Sequence, residues 1–136
     1  MKIFICCSKH FYGKVAPIKE NLEKAGHTIT LPNSYDCPLK EEEMQNLGGK
    51  QHNKWKSEMI KLQETKIKDI DAVLILNFDK GDMKNYIGGS TFLEIFKAWE
   101  LNKKIFLYNS IPKGILTDEI MSFNPLVINQ DLTRIR

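Results

Sequence analysis

Residues 71–77 read Asp71-Ala72-Val73-Leu74-Ile75-Leu76-Asn77, an unbroken apolar run between two polar ends. A strand with one wet face alternates apolar and polar residues, whereas a strand covered on both faces does not. This stretch therefore reads as a central strand of a parallel sheet. Parallel neighbours need crossover connections, usually helices, so the flanking segments should be helical.

Both flanks carry that spacing. Lys54 to Lys68 reads as a helix with Trp55, Met59, Leu62 and Ile67 inward, and Ser90 to Asn102 as a helix with Ile95, Phe96, Ala98, Trp99 and Leu101 buried. Further out, Lys2–Cys7 reads as a first strand and Tyr12–Ala25 as a helix closed by Gly26. Pro17 requires that helix to start near Ala16 or to kink. His27–Leu31 is a second strand, Lys104–Tyr108 a fourth, Leu116–Ser122 a short helix and Leu126–Ile128 a fifth strand. The polar stretch Asn33–Asn53 is too long for a plain loop and is expected to be a lid or partly helical. Alternating strands and helices predict a three-layer α/β fold of the flavodoxin-like or Rossmann-like kind. Its five-stranded parallel sheet should run in order 2-1-3-4-5, with residues 1–136 as one domain. Ligands bind such sheets beyond the carboxyl ends of the strands. That places Ser8–Tyr12, Asn77–Gly88 and Asn109–Pro112 at the site.

Composition narrows the function classes. The chain has 136 residues, 42% of them hydrophobic, enough for one buried core. Its 20 basic and 17 acidic residues leave a net charge of +3. That is too small to imply a nucleic-acid polymer, and it suits a small anionic ligand. Cys6, Cys7 and Cys37 form no disulfide framework and fit a reducing cytosol. No apolar run approaches the ~20 residues of a membrane span, and the start MKIFICCS is no signal peptide. A soluble, cytoplasmic protein is expected. His10, His27 and His52 lack metal-spaced partners, so no metal is expected, and no cofactor. Gly48-Gly49-Lys50 lacks the surroundings of a phosphate-binding loop. Glu41-Glu42-Glu43 reads as a solvated helix face or loop.

The stretch most open to chemistry is Asn85-Tyr86-Ile87-Gly88-Gly89-Ser90-Thr91-Phe92-Leu93-Glu94. Thr91 and Glu94 have the spacing of a capping box, in which the carboxylate bonds the helix's own backbone. The other reading follows from position. Gly88 and Gly89 permit close approach of a ligand, free amides at the helix mouth suit an anion, and Glu94 beside them is a candidate nucleophile. Spacing leaves both readings open. Phe11 and Tyr12 are similarly divided between stacking on a ligand and packing.

GGSTFLE following a strand that ends LILN resembles the nucleoside 2-deoxyribosyltransferase family, which includes deoxynucleoside 5′-monophosphate N-glycosidases. Phe4-Ile5-Cys6-Cys7-Ser8 resembles the family's first strand and turn, and the likeness spans nearly the whole chain. The resemblance implies an enzyme of the N-glycosidic bond in which Glu94 attacks C1′ of a nucleoside or its 5′-monophosphate. It implies that Ser8, the amides of Gly89 and Ser90, and Asn109 hold sugar or phosphate, with Asn77 and Asp79 near the base and His10, Tyr12 and Gly88 also at the site. It further implies a homodimer or larger homo-oligomer. Three positions depart from the family pattern. Cys7 stands at a usual glycine, and His10 at an arginine of the glycosidases. Gly88 stands where the transferases have aspartate and the glycosidases serine, with Asp79, Asp82 and Ser90 as nearby polar substitutes. The contrasting expectations are a nucleotide-binding sensor with the same cleft but no turnover, and a flavodoxin-like module for a protein partner.

Overall fold

A computed structural model describes residues 1–136. The strands are β1 (Lys2–Cys6), β2 (Thr28–Thr30), β3 (Ala72–Ile75), β4 (Lys104–Leu107) and β5 (Leu126–Val127). The helices are α1 (Val15–Lys24), α2 (Lys40–Asn46), α3 (Gly49–Lys68), α4 (Gly89–Glu100) and α5 (Thr117–Ser122). All strand pairs are parallel, and the order is β2-β1-β3-β4-β5, as the alternation of elements predicts. The fold is α/β, of the flavodoxin-like kind.

The pleat sorts the core into two layers. Ile3, Ile5, Ala72, Leu74 and Phe106 face α1 and the C-terminal Ile135. Phe4, Cys6, Val73, Ile75, Ile105 and Leu107 face the other way, with Ile67, Ile95, Ala98 and Ile120 of α3, α4 and α5. Every residue of β3 is buried, which its unbroken apolar run requires. Asp71, just before it, accepts a hydrogen bond from the Lys2 backbone N–H at 2.7 Å and ties β1 to β3.

Local signals explain the helix ends. Gly26 has φ +92°. The amides of Gly26 and His27 bond the Glu23 and Leu22 carbonyls, a Schellman closure that favours glycine in the left-handed region. Pro17 is harmless because α1 begins at Val15, so its missing N–H falls among the first-turn amides that have no intrahelical partner. Residues 12–14, expected within that helix, instead belong to a 3-10 turn over Lys9–Lys14.

Two packing expectations change. On α3 the buried pair is Gln63 and Ile67, and Leu62 is 45% exposed. The inward row runs Met59–Gln63–Ile67 at helical i,i+4 spacing, so the polar residue points in and the leucine out. Phe96 and Trp99 of α4 also face outward, with Trp99 48% exposed. They group with Phe123, the Trp99 and Phe123 ring centroids lying 5.3 Å apart. The long polar stretch is largely helical, forming α2 and the start of α3. No helix is long and apolar enough to cross a membrane.

Candidate functional site

A cavity of about 330 Å³ lies between the turn after β1, the first turns of α4, and a wall made by residues 32–34, α2 and α3. That volume is at the lower end of the range for small-molecule sites. Fold topology explains the placement. β1 and β3 are adjacent, and their chains leave in different directions, toward α1 and α4, opening a crevice at their carboxyl ends.

Glycine sets the helix mouth. Gly88 is the N-cap of α4 and has no side-chain cap. The amides of Gly89, Ser90 and Thr91 are therefore the helix's orphan donors, since the first intrahelical bond runs from Phe92 N–H to the Gly88 carbonyl at 2.9 Å. The capping box at Thr91 does not form, because Thr91 already lies inside the helix. Glu94 sits in the second turn. Side chains on a helix tilt toward its N-terminus, so the Glu94 carboxylate lines the same cavity as Gly88, Gly89, Ser90 and Thr91. The residue is only 8% exposed.

That setting governs its charge. Burial pushes the Glu94 carboxyl up to about 7, while the Cys6 thiol and the Lys66 and Lys56 ammonium groups pull the other way. The Cys6 thiol also reaches the Phe4 carbonyl oxygen, at 3.8 Å. Burial lowers the Lys66 ammonium, and Glu94 is the strongest influence restoring it. Burial, with Glu94 beside it, raises the Cys7 thiol to about 12. Burial likewise raises the Tyr12 phenol, helped by the charges of Cys7, Glu94 and Glu41. The Glu94 carboxyl therefore changes charge near neutrality, the range a working nucleophile or base needs.

Of the residues expected at the site, Ser8, His10, Tyr12, Gly88, Gly89, Ser90 and Glu94 line this one cavity. The Ser8 hydroxyl oxygen accepts from the His10 amide at 3.4 Å, leaving its own proton free for a ligand. Phe11, by contrast, is buried in the core. Asn77, Asp79 and Asn109 are placed elsewhere. Asn77 is fully buried, and its amide donates to the Asn109 and Ser110 carbonyls at 3.1 and 2.9 Å. Its oxygen accepts from the Asn109 N–H at 2.8 Å. The Asn109 side chain donates to the Asn77 carbonyl and accepts from Gln130. The pair ties the end of β3 to the end of β4. Asp79 is spent on the loop before α4, accepting from the Asn85 N–H and the Lys84 ammonium, each at 3.0 Å. Those two bonds hold its carboxyl below the usual value.

The wall opposite Glu94 was not legible as a site. It includes Trp55, Lys56, Met59 and Gln63 of α3 and Glu41 of α2. Gln63 is 5% exposed and donates to the Ser90 carbonyl at 3.3 Å, bracing α3 against the mouth of α4. A polar residue on an otherwise apolar helix row was the available signal. Tyr86 was missed too. A Cβ built on Gly88 would lie 3.1 Å from the Tyr86 phenol oxygen, so a hydroxyl stands where a side chain at position 88 would begin. The ring is held by an edge contact with Phe11 and by the Lys80 ammonium 4.6 Å from its centre.

No protein-family model matches the chain, and no curated protein matches it. Solved structures do. One is a 2-deoxyribosyltransferase from Bacillus psychrosaccharolyticus, with 21% identity, 90% of this chain and 81% of that one covered, and a TM-score of 0.59. Another is the Clostridium botulinum CMP N-glycosidase, with 15% identity, 93% and 85% covered, and a TM-score of 0.54. At this identity the likeness establishes architecture: this chain has the α/β fold of those two enzymes over nearly its whole length.

Proposed function

We propose that the protein breaks the N-glycosidic bond of a nucleoside or a nucleoside 5′-monophosphate, with Glu94 as nucleophile. The observation that carries this reading is a buried carboxylate, free of any capping role, lining a cavity beside the orphan amides of α4. The names of the two similar solved enzymes support the same bond class.

The chemistry is a double displacement. A Glu94 carboxylate oxygen bonds to C1′ while the C1′–N bond breaks through an oxocarbenium-like transition state. The bonding pair leaves with the base, which takes up a proton. Water then attacks C1′, loses a proton and frees Glu94. Attack by a nitrogen of a second base would make the same enzyme a transferase. Ser8 and the amides of Gly89 and Ser90 hold sugar or phosphate oxygens. Tyr12 packs at the cavity wall, and His10 lies at the rim. The Tyr86 hydroxyl supplies the polar group that position 88 lacks. Tyr86→Phe then lowers kcat/KM about tenfold, the scale of one hydrogen bond to a reacting ligand, while the unfolding midpoint stays put. An unchanged kcat/KM would remove Tyr86 from the site.

Acidity gives the direct test. The nucleophile must be ionised, and burial raises the Glu94 carboxyl to about 7. Base release should therefore fall about tenfold per pH unit on the acid side of 7 and level off above it. A rate that is flat from pH 5 to pH 8 would exclude Glu94 as the attacking group.

A further inference from the structure

Glu41, read from sequence as part of a solvated acidic run, points into the cavity. Helix α2 has no buried residue, and its inner edge is held by charge. The Glu41 carboxylate lies 3.1 Å from the Lys56 ammonium of α3 and 3.9 Å from the Lys9 ammonium of the turn after β1. Glu42 adds a second contact to Lys9 at 3.5 Å. Lys9, Lys56 and Glu41 all line the cavity, and the Glu41 and Lys9 side chains are each 26% exposed. Two cations from separate elements thus converge on one carboxylate inside the site. Lys56 also acts on the charge of Glu94, so both carboxylates share one electrostatic neighbourhood. Partly exposed ion pairs of this kind stabilise a fold little. The same two ammonium groups, beside the Ser8 hydroxyl, suit a small anion with several oxygens better than they suit a single carboxylate.

We propose that Lys9 and Lys56 bind the phosphate group of the substrate, and that Glu41 occupies their site as an internal competitor until phosphate displaces it. The substrate class is then a nucleoside 5′-monophosphate in preference to the free nucleoside. Displacement removes the ionic hold on α2, so phosphate binding and movement of α2 are one event. The nucleoside half of this claim rests on the glycosidic reading above. The phosphate site does not.

Calorimetric titration at fixed ionic strength separates the possibilities, using inorganic phosphate, a nucleoside 5′-monophosphate and the matching nucleoside. Glu41→Gln removes the competitor's charge and keeps its shape. It should bind inorganic phosphate and the monophosphate roughly three- to tenfold tighter than the wild type, with the nucleoside shifted less than about twofold. Replacing Lys9 and Lys56 together by Met should weaken both phosphate ligands by about tenfold or more. Should that pair not fold, Glu41→Gln decides alone, because a gain in affinity does not arise from misfolding. Equal or weaker phosphate binding by Glu41→Gln overturns the proposal, as does an equal shift for all three ligands, which would mean only that α2 had loosened. Phosphate binding that obeys these rules without any base release would remove the glycosidic reading and leave the phosphate site standing.

Discussion

Replacing Glu94 by Gln abolishes base release, by roughly a thousandfold or more, and makes the protein more stable above neutrality. The first effect follows from chemistry: an amide has no anionic oxygen to bond to C1′. The second follows from burial. The folded protein holds the Glu94 proton up to about pH 7, against 4.5 for an ordinary glutamate. Between those two values the folded state binds more protons than the unfolded one, so stability falls as pH rises through the window. The full cost of ionising the carboxylate is on the order of 3 kcal/mol above pH 7. Gln is a neutral isostere and escapes it. Denaturant unfolding at pH 8 should therefore show the variant ahead of the wild type, with the two converging near pH 4. A merely structural Glu94 would instead give a variant that loses stability and keeps its activity.

The second large effect is Asn77→Ala. Asn77 is fully buried and makes three side-chain hydrogen bonds to the strand-end backbone at residues 109 and 110. Alanine leaves two carbonyls and one amide without those partners and opens a small void. The expected loss is about 3 kcal/mol in urea unfolding. Activity per folded molecule should survive, because the side chain is turned away from the cavity. A rise in KM with unchanged stability would instead place Asn77 on the base.

These two residues also show what can be read from a sequence. The fold was legible because its signals are local: the apolar run of β3, the helical spacing on either side, and Gly26 closing α1. Right-handed parallel crossovers then left few strand orders, with 2-1-3-4-5 foremost among them. Glu94 was legible as a candidate because it follows a central strand. Its choice between cap and nucleophile was not, because it turned on which residue starts α4. Gly88 starts it, so Thr91 lies a turn too late to cap. Asn77 and Asn109 stand at strand ends facing the crevice, where ligand contacts are common. Most of their hydrogen bonds are to each other's backbones, a pairing across the sheet that spacing along the chain cannot reveal. The α2–α3 wall was hidden for a related reason. Ile67 anchors the far end of α3 in the core, but the stretch around the cavity is joined to the rest through ions and through Gln63. Position 88 looked empty because its polar atom arrives from Tyr86, two residues earlier.

Cleavage of an N-glycosidic bond in this cavity is read most directly as free base released from a panel of nucleosides and 5′-monophosphates, followed by chromatography. The wild type should release base over time from at least one 5′-monophosphate, and Glu94→Gln should release none. Recovery of every substrate intact after bound nucleotide has been demonstrated would contradict it, and would identify the cleft as a nucleotide sensor.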